Sequence, residues 1–443
     1  MKRSIDQYLD KWKEDASRVP LMIRAARQVG KSYSVSSLGK RSFESTVTVN
    51  FETDEGIKEC FTTLNAQKIV QELELKLGKK ITPGKTLLFF DEIQACPRAI
   101  MALRYFKEEM QELHVISAGS LLEFAIEDQQ FSFPVGRVQF LYMHPLSFME
   151  FLTAMGKTVL KERIESVSLS DQSPSLHAEG LSQIKLYMGL GGMPAVIDKY
   201  LSSNSLIDAT EVQNLLLSTY QSDFGKYASK TEHRHLQRLF EKAPLFVGHR
   251  VKYSTIDPHS PNPAREYKQA IYLLSKAGLI QQIYSTSANG FPLAAETNEK
   301  KFKLLYLDTG LFQRSLGTEP KFAFSDEAMT INKGQTAEQL VGQELLCYQL
   351  PTQEAKLYFW EREKATSSAE VDYLYPFSTN ILPIEVKSGK EGKLKSMKIF
   401  LEEKKAPIGI KISIEPLSFD GNILTIPFYL ISQMNRLISE ALN

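Results

Sequence analysis

The residues best suited to chemistry lie near the amino terminus, in the run Ala25-Ala26-Arg27-Gln28-Val29-Gly30-Lys31-Ser32. The run satisfies the pattern G-x-x-x-x-G-K-[ST] except at its first position, where Ala25 stands in place of glycine. A strand, a tight loop and a helix start would direct backbone N–H groups and the helix dipole towards an anion. The run therefore predicts a phosphate-binding loop, in which Lys31 reaches the β- and γ-phosphates and the Ser32 hydroxyl binds magnesium.

A second motif follows about 60 residues later, in Thr86-Leu87-Leu88-Phe89-Phe90-Asp91-Glu92. Four consecutive apolar residues that end in two carboxylates are typical of a buried parallel strand with an acidic carboxyl end. At that position Asp91 can hold Mg²⁺ beside the loop, and Glu92 can polarise an attacking water. The two motifs in this order predict that the chain binds ATP or GTP together with Mg²⁺.

The elements that must position these residues follow from the alternation of apolar runs. Strands are predicted at 46–51, 86–90, 114–118 and 138–143, with helical patterns between them at 65–77 and 98–112. This alternation predicts an α/β fold with a parallel sheet covered on both faces, which binds its ligand at the carboxyl ends of the strands. Ser120 leaves the end of one such strand and joins Asp91 and Glu92 as a candidate site residue.

Composition limits the class of protein but does not indicate a binding partner. The 443 residues carry a formal net charge of +1, and the three cysteines, Cys60, Cys96 and Cys347, fit neither a disulfide framework nor a zinc site. No apolar run approaches 18 residues, and the charged amino terminus does not resemble a signal peptide. The sequence therefore predicts a soluble cytoplasmic protein without a membrane segment.

The middle of the chain predicts a helical region and then a hairpin. A predicted helix at 224–242 spaces five basic residues four apart, so that they form one slowly winding stripe: Lys226, Lys230, Arg234, Arg238 and Lys242. This stripe is either a solvated face or a contact to a phosphate backbone. Residues 264–306 read as helix, strand, turn and strand, the second half of a winged helix, which is a module used for DNA and for protein contacts.

The last candidate site lies in a predicted hairpin near the carboxyl terminus. If the turn centres between Ser378 and Thr379, paired positions sum to 757, and Asp372 faces Glu385. Opposed carboxylates repel unless a cation lies between them, and Mg²⁺ binds one or two carboxylates plus waters. Lys387 would then orient or activate a metal-bound water, and Glu338 on the preceding helix would add a third carboxylate. A register slipped by one residue would instead point these charges to different faces.

With these motifs in order, the chain resembles a large prokaryotic family of predicted AAA-type ATPases. That family joins an archaeal-type P-loop domain to a C-terminal domain of the PD-(D/E)xK restriction-endonuclease-like superfamily. The resemblance covers nearly the whole chain. It rests on the following segments: Arg24 to Ser32, Phe90 to Gln94, Ala118 to Leu122, Phe133 to Arg137, Pro145 to Phe148, Gly191 to Pro194, Leu307 to Gly310 and Pro383 to Lys387.

The resemblance implies an architecture and several roles. The implied domains are a P-loop core at 1–150, a helical lid at 151–243, a winged-helix-like domain at 244–316 and a restriction-endonuclease-like α/β domain at 325–443. Ser120 is implied to be the polar sensor of the γ-phosphate, and Arg137 to contact phosphate within the chain or across a subunit boundary. The family usually has glycine where this chain has Ala25, and the added Cβ is tolerated only if φ there stays negative.

Three functions remain in competition. The first is a nucleotide-driven switch or motor that acts on nucleic acid, with the C-terminal domain cutting or gripping the strand. The second is an ATP-dependent regulatory module that binds protein partners through a non-catalytic nuclease-like domain. A small-molecule P-loop kinase is disfavoured, because the pair Asp91 and Glu92 suits activation of water and the sequence has no short basic lid. The oligomeric state is left open.

Overall fold

The apolar runs of the first 150 residues form one parallel sheet in the order β2-β3-β4-β1-β5. Its strands are β1 (Leu21–Arg24), β2 (Ser45–Asn50), β3 (Thr86–Asp91), β4 (His114–Gly119) and β5 (Gln139–Tyr142). The surrounding helices are α1 (Ile5–Glu14), α2 (Lys31–Ser42), α3 (Ala66–Leu77), α4 (Pro97–Glu109) and α5 (Leu122–Glu127). Both faces of the sheet are buried, because Leu87 and Phe89 of β3 pack into one core while Leu88 and Phe90 pack into another.

The computed structural model describes residues 1–127, 133–171, 173–226, 228–317, 333–362, 369–388 and 394–443. Within these ranges, no helix combines the length and apolar character that crossing a bilayer requires. The predicted parallel sheet is confirmed, and its strands begin and end within a residue or two of the predicted bounds.

Six helices follow the sheet. They are α6 (Phe148–Ala154), α7 (Thr158–Ser166), α8 (Pro174–Leu190), α9 (Pro194–Ser203), α10 (Leu206–Asp223) and α11 (Lys230–Lys242). The continuous helix predicted at 224–242 is wrong. Helix α10 ends at Asp223, and a new helix, α11, begins after Ser229, which forms a capping box with Glu232.

This break divides the predicted basic stripe. Lys226 lies before α11 and pairs with Asp223 at 3.4 Å, while Arg238 pairs with Asp257 at 2.9 Å. Lys242 donates to the carbonyl oxygen of Ile256 at 2.7 Å. Arg234 is exposed, whereas the side chain of Lys230 lies outside the described residues. Three of the five cations therefore have partners within the chain.

The predicted helix is present as α13 (Pro263–Lys276), and the predicted hairpin as β6 (Ile280–Thr286) and β7 (Thr297–Tyr306). A short helix, α12 (Tyr253–Ile256), precedes them, and α14 (Thr309–Ser315) follows. Strands β6 and β7 pair antiparallel. The hairpin is not isolated, because β6 also pairs in parallel with β8 (Tyr358–Glu361), and β8 pairs with β9 (Glu370–Val371). One four-stranded sheet in the order β7-β6-β8-β9 thus joins the hairpin to the C-terminal residues.

The C-terminal residues form a mixed sheet in the order β10-β11-β12-β14-β13. Its strands are β10 (Tyr373–Phe377), β11 (Asn380–Val386), β12 (Gly409–Ser413), β13 (Ser418–Asp420) and β14 (Ile423–Pro427). The helices of this region are α15 (Lys333–Cys347), α16 (Lys395–Lys404) and α17 (Met434–Leu442). Strands β10 and β11 pair from Tyr373 with Ile384 to Phe377 with Asn380, which confirms the predicted register sum of 757. Asp372 lies at a bend between β9 and β10.

Candidate functional site

The phosphate-binding loop connects β1 to α2, as its pattern predicts. Gln28 has φ of 64° and Gly30 has φ of 102°, so the loop turns through left-handed backbone at two points and favours glycine at position 30. Ala25 is not among the described residues with positive φ. Alanine therefore introduces no backbone strain at the position where the pattern has glycine.

Lys31 is buried, and its ammonium folds back onto the loop. Its Nζ donates to the carbonyl oxygens of Ala26 at 2.8 Å and of Ala25 at 3.2 Å. Burial lowers the pKa of Lys31 to about 8, although the negative charges of Glu92 and Asp91 act in the opposite direction. The lysine, the loop and both carboxylates thus share one small region at the carboxyl edge of the sheet.

Ser32 and Asp91 form a direct pair at this edge. The Ser32 hydroxyl donates to Oδ2 of Asp91 at 2.9 Å. Burial raises the pKa of Asp91, and the bond from Ser32 partly offsets that rise. A hydroxyl and a carboxylate side by side offer the oxygen ligands that Mg²⁺ prefers, so this donor set fits the ion.

Glu92 lies in left-handed backbone with φ of 51°. Its Oε2 accepts a hydrogen bond from the Gln94 side-chain amide at 2.7 Å, and also from the Ser120 backbone N–H and hydroxyl, each at 3.4 Å. Gly119 makes room for Gln94, because a Cβ at Gly119 would overlap Oε1 of Gln94. The structure thus brings Ser120 to Glu92 and adds Gln94, which sequence reasoning missed although it closes the Phe90 to Gln94 motif.

Two further contacts to the loop come from distant residues. Arg27 pairs with Asp223 at the end of α10, at 2.5 Å, which ties the loop to the helical region. The buried Arg3 donates to the Val29 carbonyl oxygen at 2.9 Å and lies 3.1 Å from the Glu150 carboxylate. Sequence reasoning missed Arg3 because its partners lie far along the chain, and no local pattern points to them.

Arg137 lies away from the loop. It precedes β5, and the Gln139 N–H donates to the Pro20 carbonyl oxygen, ahead of β1, so Arg137 lies at the amino-terminal edge of the sheet. Its side chain pairs with Glu108 at 3.2 Å. This placement gives no support to a phosphate contact within the same chain, and contact across a subunit boundary stays a prediction.

Several of the sequence segments that carry the family resemblance meet around Glu344, a fully buried residue of α15. Its carboxylate accepts from the Phe148 N–H at 3.0 Å and from the Tyr348 hydroxyl at 2.7 Å, and it lies 2.9 Å from the Tyr187 hydroxyl. Burial raises the pKa of Glu344 from 4.5 to about 7. This carboxyl connects the start of α6 with α8 and α15.

The neighbouring residue Gln343 extends this network to Asp308. Its amide donates to the Tyr187 hydroxyl at 2.9 Å, and its oxygen accepts from the Thr309 N–H at 2.7 Å. Asp308 is buried and accepts from the Gly192 N–H at 2.6 Å, and burial raises its pKa to about 6. The segments Pro145 to Phe148, Gly191 to Pro194 and Leu307 to Gly310 therefore meet at one junction.

The C-terminal acidic residues also come together. Asp372 Oδ2 accepts from the Val386 N–H at 2.8 Å, beside Glu385, whose Oε1 lies 2.7 Å from Lys387 Nζ. Burial raises the pKa of Glu385, and that of Glu338 to about 8, and in both cases the negative charge of Asp372 adds to the rise. Within the described ranges, no group of three or more His, Cys, Asp or Glu side chains has the arrangement of a metal site.

An unpredicted cation lies among these carboxylates. Lys303 of β7 places its Nζ 3.4 Å from Glu338, 2.5 Å from Glu370 and 3.7 Å from Asp372. Burial alone would lower the pKa of Lys303, but the three carboxylates raise it above its ordinary value. Lys303 thus supplies positive charge to Glu338, Glu370 and Asp372, whereas the cation next to Glu385 is Lys387.

Comparison with known proteins bears on the first third of the chain. Residues 17–152 match the family described as AAA domain. Residues 181–321 and 333–430 match two families that are each described as a domain of unknown function (DUF8612 and DUF4143). No curated protein matches the chain.

Solved structures resemble the chain only weakly. They include the ORC2 protein of Aeropyrum pernix, at 13% identity and a TM-score of 0.34, over 71% of this chain and 93% of that one. PCH-2 of C. elegans matches at 10% identity and a TM-score of 0.29, over 45% of this chain and 62% of that one, so this chain spans less than two thirds of its length. RuvB of Thermotoga maritima matches at 12% identity and a TM-score of 0.27, over 62% of this chain and 88% of that one. Similarities of this size support no conclusion by themselves; the family match, together with the loop and the acidic strand, identifies residues 17–152 as an AAA-type ATPase domain.

Proposed function

We propose that this protein hydrolyses ATP at the carboxyl edge of the parallel sheet. The observation that carries the proposal is the Ser32–Asp91 pair, which lies next to the loop lysine and to Glu92. The loop from Ala25 to Ser32 would bind the phosphates through its backbone N–H groups, and Lys31 would exchange its two carbonyl acceptors for phosphate oxygens.

The remaining residues have distinct roles in this proposal. Ser32 and Asp91 would hold Mg²⁺, which supplies positive charge to the phosphate oxygens. Glu92 would accept the proton of the attacking water, and Ser120 and Gln94 would orient its carboxylate through the bonds they already donate. Arg137 is proposed to reach the nucleotide phosphates bound by a neighbouring subunit, because the phosphate-binding loop of its own chain lies at the opposite edge of the sheet.

Nucleotide binding and steady-state hydrolysis in three variants test this proposal. Lys31→Ala is expected to lose ATP affinity, whereas Glu92→Gln is expected to bind ATP and to turn it over at least ~100-fold more slowly. Lys40→Ala changes an exposed lysine of the same helix and is expected to behave as wild type. Equal turnover in wild type and Glu92→Gln would overturn the role of Glu92.

For the C-terminal residues we propose a nuclease-like fold in which Asp372 and Glu385 would hold a divalent metal, because Mg²⁺ binds one or two carboxylates plus waters. Glu338, the predicted third carboxylate, pairs with Lys303 in this structure. The support for the metal site is the position of Asp372 beside Glu385, and the 2.7 Å contact of Lys387 with the same carboxylate. Such a metal would supply Lewis acidity, and Lys387 would orient a water next to it. Cleavage of DNA or RNA that is lost in Asp372→Ala tests this site.

The partner of the ATPase is proposed to be either nucleic acid or protein. A winged-helix-like role for α11 to β7 favours nucleic acid, but three cations of the basic stripe are already paired within the chain. That pairing favours the regulatory module that binds protein. ATP turnover with and without single- and double-stranded DNA separates the two, because only the nucleic-acid switch is expected to be stimulated.

A further inference from the structure

One buried side chain outside the phosphate-binding loop, that of Arg3, holds the loop backbone. Its Nη1 donates to the carbonyl oxygen of Val29 at 2.9 Å, and its Nη2 donates to the carbonyl oxygen of His144 at 2.7 Å. The third nitrogen of the guanidinium, Nε, lies 3.1 Å from the Glu150 carboxylate, and only 5% of the Arg3 side chain is exposed. One planar cation thus contacts the loop, the segment after β5 and the first turn of α6.

The contact with Val29 bears on the backbone group that follows it. Val29 and Gly30 share a trans peptide bond, in which the carbonyl of the first residue and the N–H of the second point in opposite directions. Because Arg3 binds the carbonyl on one side of this peptide, the Gly30 N–H points to the other side. The orientation of this N–H matters, since N–H groups of the loop would bind the phosphates.

Gly30 itself does little to fix the orientation of this peptide. Its φ of 102° lies in the region that favours glycine, and a residue without a Cβ passes readily between backbone conformations. A rotation of the Val29–Gly30 peptide would exchange the directions of the N–H and the carbonyl, and would turn the negative end of the peptide dipole towards the phosphates. A hydrogen bond from a charged donor is stronger than one from a neutral donor, so the guanidinium opposes this rotation.

The position of the guanidinium is set by groups outside the loop. Arg3 comes directly before α1, whose apolar face is buried in the same core as Val29 through Ile5, Leu9 and Trp12. Glu150 compensates the buried charge, and its carboxylate also accepts from the Ser4 N–H at 2.6 Å. A buried cation requires such a partner. Helix α1 and Glu150 therefore fix Arg3, and Arg3 in turn fixes the loop.

We propose that Arg3 is a positioning residue for nucleotide binding: it holds the Val29 carbonyl away from the phosphates, so that the Gly30 N–H is directed towards them. This inference rests on the ATP site proposed above. Arg3 acts through the loop backbone and does not touch the nucleotide. The Gly30 N–H would contact phosphate in the ground state and in the transition state alike, so Arg3 contributes to nucleotide affinity and not to the turnover number.

Binding of ADP with Mg²⁺ to the full-length chain, measured by isothermal titration calorimetry, tests this role without depending on hydrolysis. Arg3→Met removes the guanidinium and keeps most of the side-chain length, and it is expected to weaken ADP binding at least ~ten-fold. In steady-state ATPase assays the same variant is expected to raise KM by a similar factor and to keep kcat within about three-fold. Lys2→Met, at the exposed neighbouring position, is the control.

Two more variants separate positioning from folding. Glu150→Gln also breaks the buried ion pair, so it and Arg3→Met are both expected to lower the free energy of unfolding in urea titrations. Glu150→Gln leaves the bond from Arg3 to Val29 in place, however, and is expected to bind ADP within about three-fold of wild type. Arg3→Lys keeps the charge but not the fixed fork of donors, and is expected to give an intermediate loss of affinity. This variant keeps the test valid if Arg3→Met does not fold.

The outcomes distinguish the role of Arg3 from the ATP site itself. If wild type binds neither ADP nor ATP, the proposed site fails and the role of Arg3 fails with it. If wild type binds ADP and both Arg3 variants bind it equally well, the site stands and the role of Arg3 is overturned. An equal loss of affinity in Arg3→Met and Glu150→Gln would overturn it too, because the loss would then follow the ion pair and not the contact with Val29.

Discussion

Replacing Glu344 by glutamine is expected to remove a large part of the pH dependence of folding stability. Burial raises the pKa of this carboxyl from 4.5 to about 7, so the folded state favours its neutral form. The corresponding stabilisation is fully present below pH 4.5 and is lost as the pH rises through 7. A shift of this size corresponds to about 3 kcal/mol, and since Glu344 is 1% exposed no correction for solvent screening applies.

The hydrogen bonds around Tyr187 agree with a neutral Glu344. The Tyr187 hydroxyl has one proton, and its nearest acceptor is the Leu146 carbonyl oxygen at 2.5 Å. Once that proton is donated, the Tyr187 oxygen can accept from the Gln343 amide and from the O–H of a neutral Glu344, each at 2.9 Å. An ionised Glu344 has no proton for this bond and would face the Tyr187 oxygen unpaired.

Urea unfolding followed by tryptophan fluorescence at pH 5, 6, 7 and 8 measures the effect. Wild type is expected to lose up to about 3 kcal/mol more stability than Glu344→Gln between pH 5 and 8. The pKa of Asp308 is also raised, and Asp308 contributes the same pH dependence of stability to both proteins. The difference between the two pH profiles therefore reports the contribution of Glu344. Glu354→Gln, at an exposed position, is the control. Parallel pH profiles for wild type and Glu344→Gln would refute the buried neutral carboxyl.

Three further predictions follow from single contacts. Gln94→Ala is expected to lower the turnover number by roughly ten-fold with little change in ATP affinity, because Glu92 loses the amide that orients it; a loss of affinity alone in nucleotide titrations would contradict this. Gly192→Ala is expected to lower the free energy of unfolding by about 2 kcal/mol in urea titrations, since a Cβ there would overlap the Leu146 backbone, and wild-type stability would contradict the packing. Arg137→Ala is expected to slow hydrolysis only at concentrations where chains associate, and an equal slowing at every concentration would exclude the role across a boundary.

The parts of the structure that could be predicted are those set by local pattern. Four apolar residues before Asp91 specify a strand buried on both faces, and the phosphate-binding loop specifies a turn before a helix. The C-terminal register also followed from the turn at Ser378 and Thr379, because side chains alternate along a strand and one correct pair fixes the rest.

The parts that were missed depend on partners far along the chain. Lys303 lies in a lysine-rich run that is typical of an exposed strand, and only the folded chain brings it to Glu338 and Asp372. The prediction of one continuous helix under the basic stripe was wrong for a different reason, because the sequence does contain a signal for a helix start. Ser229 and Glu232 have the spacing of a capping box and mark a helix start within the residues that were predicted as one continuous helix.

The junction around Glu344 and Asp308 explains why so many motifs surround residues without obvious chemistry. The P-loop region, the helical region, the segment at Asp308 and Thr309, and the C-terminal helix α15 each contribute buried polar groups that are hydrogen-bonded to one of the others. Separating α15 from the rest would leave the Phe148 and Thr309 N–H groups without their acceptors and the Tyr187 oxygen without its donors, at about 1–3 kcal/mol for each buried group. Motion of α15 relative to the ATPase domain is therefore opposed by several buried hydrogen bonds at once. The hairpin that carries Lys303 is joined to the C-terminal residues as well, because β6 pairs with both β7 and β8.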